Sequence, residues 1–332
     1  MSRTVRFHEF GGPEVLRVED LDPGDPGPGE VRVRVDAIGV NRAEVLFRTG
    51  RYIEPVRHLP ARLGNEAAGV VEALGDGVTG LRIGQPVSVV PGFSHNDYGV
   101  YAERALVPAP FVLPRGEDTD PVTAAAVWMP YLTAYGAMLD VGGMRPGDTA
   151  VITAASSSVG LAAIQTAHRI GATPVAVTRT RAKRQQLLDA GATEVIVSDE
   201  DDVAARILSL THGKGAEFIL DAVAGPGVTD LVRATAPDGT LFLWGAQSNA
   251  PTPYPSFDLG MPAVNIRTFT MLEITRSAER LRRGRAYIES GLRLGHFEPV
   301  VDRVFELGEV AEAHAYLEGN GQVGKVVMRV DH

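Results

Sequence analysis

The chain of 332 residues contains no cysteine. That absence excludes disulfide bonds and every thiolate metal site, structural or catalytic. Positive charge is also short: 32 Lys and Arg stand against 41 Asp and Glu, a net charge of −9. With a pI near 5.4, a general nucleic-acid-binding surface is not expected, and only a local basic pocket stays open. No apolar run is expected to reach the roughly 20 residues that a membrane helix needs. The opening MSRTVRFHEFGGPEVLRV alternates polar and apolar residues and breaks at Gly11-Gly12-Pro13, with no signal-peptide core. These absences predict a cytoplasmic protein without membrane or nucleic-acid partners. What remains is globular in composition, 44% hydrophobic and 22% charged, and long enough for two ordinary domains.

The first third reads as β-rich. Val31–Val35 (VRVRV) alternates strictly and predicts a half-buried strand. The preceding Asp22–Glu30 (DPGDPGPGE) is dense in Pro and Gly and predicts a loop. Gly69–Ala73 and Gln85–Val90 predict further strands, and short strands joined by Gly-rich turns suggest a small barrel or sandwich. Near Pro121 the character changes. Val122–Leu139 reads as helix, after which strands and helices alternate: strand Thr149–Thr153, helix Val159–Ile170, strand Pro174–Thr178, helix Ala182–Ala190, strand Glu194–Val197 and helix Val203–Leu210. Strands Phe218–Asp221 and Thr240–Trp244 follow. This βαβ spacing predicts an α/β fold with a doubly wound parallel sheet, and continuous apolar strands such as PVAVT fit burial on both faces. After about Asn265 come a charged helix (Ser277–Leu294), a strand (Val301–Phe305), a helix (Val310–Glu318) and a last strand (Lys325–Val330). This tail is expected to pack back on the first domain.

The strand Thr149–Thr153 runs through AASSSVGLAA into a helix, which is where a dinucleotide turn belongs. A helix N-terminus there offers free N–H groups and a positive dipole end to a pyrophosphate. Against G-x-G-x-x-A the match is Ser158, Gly160 and Ala163, so the first glycine is a serine and the turn alone decides nothing. The end of the next strand decides more. An NAD site usually has Asp or Glu about 20 residues on, to hold the ribose 2′-hydroxyl. Here Thr178-Arg179-Thr180-Arg181-Ala182-Lys183 has three cations and no acid. Cations at a helix N-terminus oppose the dipole, and the 2′-phosphate of NADPH supplies a reason for them.

Segments distributed along the whole chain resemble the zinc-independent quinone oxidoreductase branch of the medium-chain dehydrogenases and reductases. They are Gly39–Tyr52, LGNEAAGVV at Leu63–Val71, GVYAERALV at Gly99–Val107, YLTAYGAML at Tyr131–Leu139, SSVGLAAIQTA at Ser157–Ala167, KRQQLLDAGA at Lys183–Ala192 and Glu306–Val327. The resemblance implies a GroES-like β-rich barrel domain over residues 1–122 and 266–332, and a Rossmann domain over 123–265 that binds NADPH. It implies a homodimer, with substrate and nicotinamide meeting between the domains. The activity implied is hydride transfer to a quinone, an enone or an enoyl-type carbon–carbon double bond, on a small hydrophobic or conjugated carbonyl substrate. Zinc-dependent relatives have His before the glutamate that stands here as Glu66. Asn65 occupies that place, and no metal is expected.

By the same resemblance Lys183 binds the 2′-phosphate, and Thr133 lies near the nicotinamide. The cofactor set is completed by Ser157, Ser158, Val159, Gly160, Thr178, Arg179, Ser198, Ala222 and Gly245. The family's Gly-Gly-Val-Gly turn is Ser157-Ser158-Val159-Gly160 here, and serine at a position needing positive φ predicts strain. Ser198 stands where a phosphate-holding tyrosine is usual, with Arg179 and Arg181 as compensating cations. Asn41 and Tyr52 are the catalytic candidates, for hydrogen bonds to the developing oxyanion or delivery of a proton. Each has a plainer reading: Asn41 as the cap of a helix beginning Arg42-Ala43-Glu44, and Tyr52 as a packed turn residue. Leu46, Tyr131 and Trp128 are candidate pocket residues. Leu46 stands where some relatives have tyrosine, while Trp128 reads equally as core, and of Tyr131 and Tyr135 at least one is expected to be packing. Asp221 either faces the cofactor edge of the sheet or caps a turn. His95, in the loop Gly92–Gly99, reads as a solvated loop histidine. A redox-inactive cofactor-binding or non-redox tailoring protein on the same fold is the alternative function.

Overall fold

The VRVRV alternation falls inside strand Glu30–Val40, where Val31, Val33 and Val35 are fully buried. Arg32 between them turns outward to Glu72 at 2.8 Å. This strand organises a seven-stranded sheet. Across the sheet the order is Val301–Glu306, Lys325–Arg329, Glu30–Val40, Ala67–Leu74, Pro86–Val89 and Val112–Pro114, with Arg104–Pro108 also pairing to Glu30–Val40. Only the first pair is parallel. A smaller antiparallel sheet joins Leu16–Leu21, Ser2–Phe7 and Ala61–Arg62. Their inward valines and Phe7, Phe47, Phe93 and Phe305 form one core. The structure is a computed structural model that describes residues 1–254 and 257–332. Packing divides it into two units, Met1–Met129 with Pro299–His332, and Pro130–Glu298.

The second unit holds six parallel strands: Thr149–Ile152, Thr173–Thr178, Glu194–Val197, Ala216–Asp221, Thr235–Leu243 and Asn265–Thr268. Numbered along the chain, they lie across the sheet in the order 3-2-1-4-5-6. The order reverses between the first and fourth, and ligands of such sheets bind beyond the carboxyl ends at that switch point. Val151, Val175, Ile196, Ile219 and Leu241 are buried along these strands, as expected of a sheet covered on both faces.

Helix Ser158–Ile170 shows how local chemistry sets the boundaries. Ser157 caps it, its Oγ accepting the Gly160 N–H at 3.1 Å, and Gly171 ends it at φ 79°. The charged helix Ala278–Arg293 buries Leu281, Gly284, Ile288 and Gly291 and belongs to the second unit, so only the tail from Pro299, and not from residue 266 as expected, returns to the first. The helix Val228–Arg233 and edge strand Asn265–Thr268 were not anticipated, being too short and too polar for a clear period.

The expectation about apolar runs is corrected too. Pro121–Val141 is, by length and composition, apolar enough to cross a membrane, yet 83% of its most apolar window is buried inside the protein. It is broken into Pro121–Ala124, Trp128–Tyr135 and a wider turn over Gly136–Val141, so the apolarity serves the core.

Candidate functional site

The carboxyl ends of the parallel strands gather most of the expected cofactor residues. After Thr149–Ile152 the chain turns through Ala154, which has φ 46°, and enters helix Ser158–Ile170 from Ser157. Ser157 itself is extended at φ −69°. The strain expected at the serine is therefore absent, because the positive φ falls three residues earlier. Gly160 is dictated by close approach: a Cβ there would lie 2.4 Å from the Ala155 carbonyl oxygen. The first-turn N–H groups of Ser158 and Val159 have no partner within the helix, as at any helix start.

Lys183 extends from the end of the next strand to this turn, its Nζ donating to Ser156 Oγ at 3.0 Å. Thr178 is buried at the strand end, and Arg179 is exposed, with no ion-pair partner among the described residues. Arg181 is engaged by Glu200, with a hydrogen bond of 3.0 Å from Nε. Ser198 is exposed and donates its N–H to the Thr178 carbonyl at 2.9 Å. The run Asp199–Asp202 would oppose a nearby phosphate if its charge were all free. Glu200 is spent on Arg181, Asp201 accepts the Val197 N–H at 2.9 Å, and Asp202 caps the next helix.

Asp221 resolves to a turn-capping role that also braces the sheet edge. It is buried and accepts from Thr153 Oγ1 at 2.6 Å and from the N–H groups of Val223 and Ala224 at 3.1 and 2.7 Å. Thr153 Oγ1 in turn accepts the Ala222 N–H at 3.0 Å. Gly245 lies so close to Ala222 that a Cβ would meet its carbonyl oxygen at 2.5 Å. A second non-glycine residue of positive φ, Ala224 at 58°, falls on this turn. Backbone outliers of this kind concentrate where a ligand is clamped.

The first unit holds the remaining polar candidates. Asn41 is the N-cap of helix Arg42–Arg48, so the plainer reading is realised. Its amide does more: Nδ2 donates to the Gly39 carbonyl at 3.1 Å and to Glu66 Oε2 at 3.3 Å, and Oδ1 accepts from Lys325 Nζ. Lys325 and Glu66 form an ion pair with 1% and 0% side-chain exposure. Glu66 also accepts the Met129 N–H at 2.8 Å. Asn65 is buried beside it, its Oδ1 without a hydrogen-bond partner among the described residues. Nothing local in the sequence marked Lys325, although a lysine inside the apolar run Val323–Met328 was the available signal.

Tyr52 is half-buried, its ring edge-on to Phe47 at 6.3 Å and to His95 at 5.3 Å. Leu46 is half-buried on the helix that Asn41 caps. His95 overturns its reading as a solvated residue. Only 2% exposed, it stacks on Phe47 at 4.9 Å and faces Glu44 with Nε2 3.8 Å from Oε1. An aromatic slot between Phe47 and Tyr52, invisible along the sequence, draws it inside. Deeper lie Tyr101 and His314, whose Oη and Nε2 are 3.3 Å apart. Burial, with Arg48 and Arg42 nearby, pushes the His314 imidazole down to about 3.

Of the other pocket candidates, Tyr131 is enclosed, its hydroxyl on Gln165 Oε1 at 2.7 Å and its ring 4.8 Å from Phe297. Burial raises its phenol well above the ordinary value. Trp128 is 5% exposed and Thr133 is also buried on the same helix. Among the described residues there is no group of three His, Cys, Asp or Glu side chains able to hold a metal ion.

Family comparisons agree with this geometry. Residues 27–117 match the alcohol dehydrogenase GroES-like domain, and residues 158–283 match the domain described as zinc-binding dehydrogenase. A quinone oxidoreductase of Pseudomonas aeruginosa is 32% identical over 99% of both chains. A 2-haloacrylate reductase of a Burkholderia species is 28% identical over 97% of both. The Escherichia coli quinone oxidoreductase solved with NADPH superposes with a TM-score of 0.92 at 26% identity, covering 99% of this chain and all of that one.

Proposed function

We infer that this chain, which belongs to the quinone oxidoreductase family of medium-chain dehydrogenases and reductases, is an NADPH-dependent reductase of quinones, enones or enoyl-type double bonds. The observation that carries the cofactor reading is Lys183 Nζ on Ser156 at the turn, with Arg179 beside it in no ion pair among the described residues. The turn fits the cofactor: Gly160 leaves room for backbone approach, Ser157 is unstrained, and no acid follows Thr178 where an NAD site would have one. The Rossmann unit takes the dinucleotide and the GroES-like unit supplies the groups that meet the substrate. Among the described residues no group of three side chains could hold a metal ion, and the relatives named as quinone and haloacrylate reductases match 99% and 97% of the chain.

NADPH, when bound, supplies a hydride. The protein's own task is to bind, orient and stabilise charge. Lys183 and Arg179 neutralise the 2′-phosphate. The first turn of helix Ser158–Ile170 takes the pyrophosphate, and Ala222 and Gly245 let the dinucleotide approach the sheet edge closely. Tyr52 donates a hydrogen bond to the oxygen that gains negative charge. Asn41 acts from a fixed position, because its amide is already bonded to Glu66 and Lys325. Leu46 and Trp128 in the first unit and Thr133 and Tyr131 in the second remain pocket candidates, Tyr131 as a packed residue. Strand Asn265–Thr268, which among the described residues pairs only with Thr235–Leu243, supports a homodimer, and the lack of cysteine is compatible with the cytoplasm.

Titration with NADPH and then NADH, followed by calorimetry, tests the reading. We expect NADPH to bind more tightly, and Lys183→Ala to weaken NADPH about tenfold or more while leaving NADH nearly unchanged. A screen with a simple para-quinone and a cyclic enone should then show NADPH oxidation. Equal loss of both cofactors in Lys183→Ala would refute the 2′-phosphate assignment. Inertness toward every quinone and enone would bring the redox-inactive reading forward.

A further inference from the structure

The fully buried Glu44, on helix Arg42–Arg48, serves two neighbours. Its Oε2 accepts the backbone N–H of Asn41 at 2.9 Å, and its Oε1 faces His95 Nε2 at 3.8 Å. Neither of those facing atoms has a hydrogen-bond partner among the described residues. His95 lies nearly parallel to Phe47, at 25°, and nearly perpendicular to Tyr52, at 80°. One carboxylate therefore connects with both candidate substrate-facing residues, directly with Asn41 and through one ring with Tyr52.

The loop that delivers His95 is strapped to the segment following Tyr52. Asn96 Oδ1 accepts the Arg57 N–H at 2.7 Å, and Asn96 Nδ2 donates to the Pro55 carbonyl and to Glu54, each at 3.0 Å. Ser94 Oγ bonds Glu54 as well, and Arg57 pairs with Asp97 at 3.0 Å. Tyr52 thus has His95 and Phe47 against its ring and a strapped loop behind it. Packing alone does not explain the choice of histidine. A phenylalanine at 95 would offer the same ring to Phe47 and Tyr52 without burying a polar atom that lacks a hydrogen bond.

We propose that Glu44 and His95 are positioning residues for the reduction, fixing Asn41 and Tyr52 in one mutual geometry. The pair acts through those two residues and so rests on the reductase reading above. Glu44 anchors the start of the helix at Asn41, and its attraction for His95 sets the imidazole plane against which the Tyr52 ring leans.

The test uses the full chain with NADPH, a simple para-quinone and a cyclic enone. His95→Phe keeps the ring contacts and removes the nitrogens. Glu44→Gln keeps shape and the bond to Asn41 but removes the charge. Each is expected to lower kcat about tenfold, below the roughly hundredfold that a 1 Å misplacement costs. NADPH affinity should be unchanged, and His95→Phe should keep or raise the melting temperature. With Tyr52→Phe already in place, His95→Phe should cost little more. Wild-type kcat in His95→Phe, or losses that simply multiply with those of Tyr52→Phe, would overturn the pair. An indifferent Tyr52→Phe would overturn it too, by removing the residue it acts through. No turnover by the wild type with either probe would instead sink the reductase reading and the pair together.

Discussion

The two units bury different things. The second has an apolar interior, with Val151, Ile196, Ile219 and Leu241 at 1% exposure or less, and its buried carboxylate Asp221 sits at a strand end. The first buries Glu44, Arg48, Glu66 and Lys325, with His95 and His314, between its sheets and helices. The second unit turns tightly at its strand ends, where Gly160 and Gly245 leave no room for a Cβ. The first must hold charge in a low-dielectric interior, where each group is tolerable only while its partner stays. The contrast teaches which half tolerates substitution: the second is sensitive to added volume at its turns, the first to lost charge.

The largest effect should come from breaking the buried pair. Lys325→Met strands Glu66 without its cation and is expected to cost about 3–5 kcal/mol. The double variant Lys325→Met with Glu66→Leu should recover part of that loss in chemical denaturation. A single variant as stable as wild type would erase the contrast between the units. Next is Gly160→Ala, whose methyl group meets the Ala155 carbonyl oxygen at 2.4 Å. Overpacking there should cost about 2 kcal/mol and weaken NADPH binding, both readable in one thermal-shift titration.

A comparable cost, spread over pH, belongs to His314. Burial pushes its pKa in the fold down to about 3, from an ordinary value of 6.5. The fold thus keeps it neutral while the unfolded chain takes up a proton below pH 6.5. Stability is complete above that pH and declines as pH falls toward 3, by up to about 1.4 kcal/mol per unit. Stability curves from pH 7 to 5 should therefore be flatter in His314→Gln than in wild type. The smallest effect is expected for Tyr131→Phe, which removes the bond to Gln165. It should cost about 1 kcal/mol with little change in kcat, and a large fall in kcat would return Tyr131 to the chemistry.

The same contrast explains what the sequence made legible. The parallel sheet could be read because most of its strands and helices carry their own period, and Glu194–Val197 and Val203–Leu210 were located to the residue. The helix entry was legible for a similar reason: Ser157, Gly160 and Lys183, which the structure gathers around one turn, lie within one βαβ unit. The charged interior of the first unit was not. Glu66 and Lys325 are separated by 259 positions, and a hydrogen bond across that interval leaves no local pattern. His95 misled because its loop, Gly-Phe-Ser-His-Asn-Asp, is polar on its face, while the slot that receives it is built from Phe47 and Tyr52. The supposed strain at Ser157 failed because a motif gives residue types and not the φ angles of a particular turn.

The chain has only three lysines among its 32 cations: Lys183, Lys214 and Lys325. Lys325 is sealed with Glu66, Lys214 is exposed on a loop, and Lys183 is half-exposed at the phosphate turn. A reagent that acylates amines therefore meets two accessible side chains and the amino terminus. Arginine elsewhere is silent to it, since guanidinium stays protonated. Chemical footprinting of native protein thus reads only three amines, and protection of Lys183 relative to Lys214 would report a ligand at the turn without any engineered label.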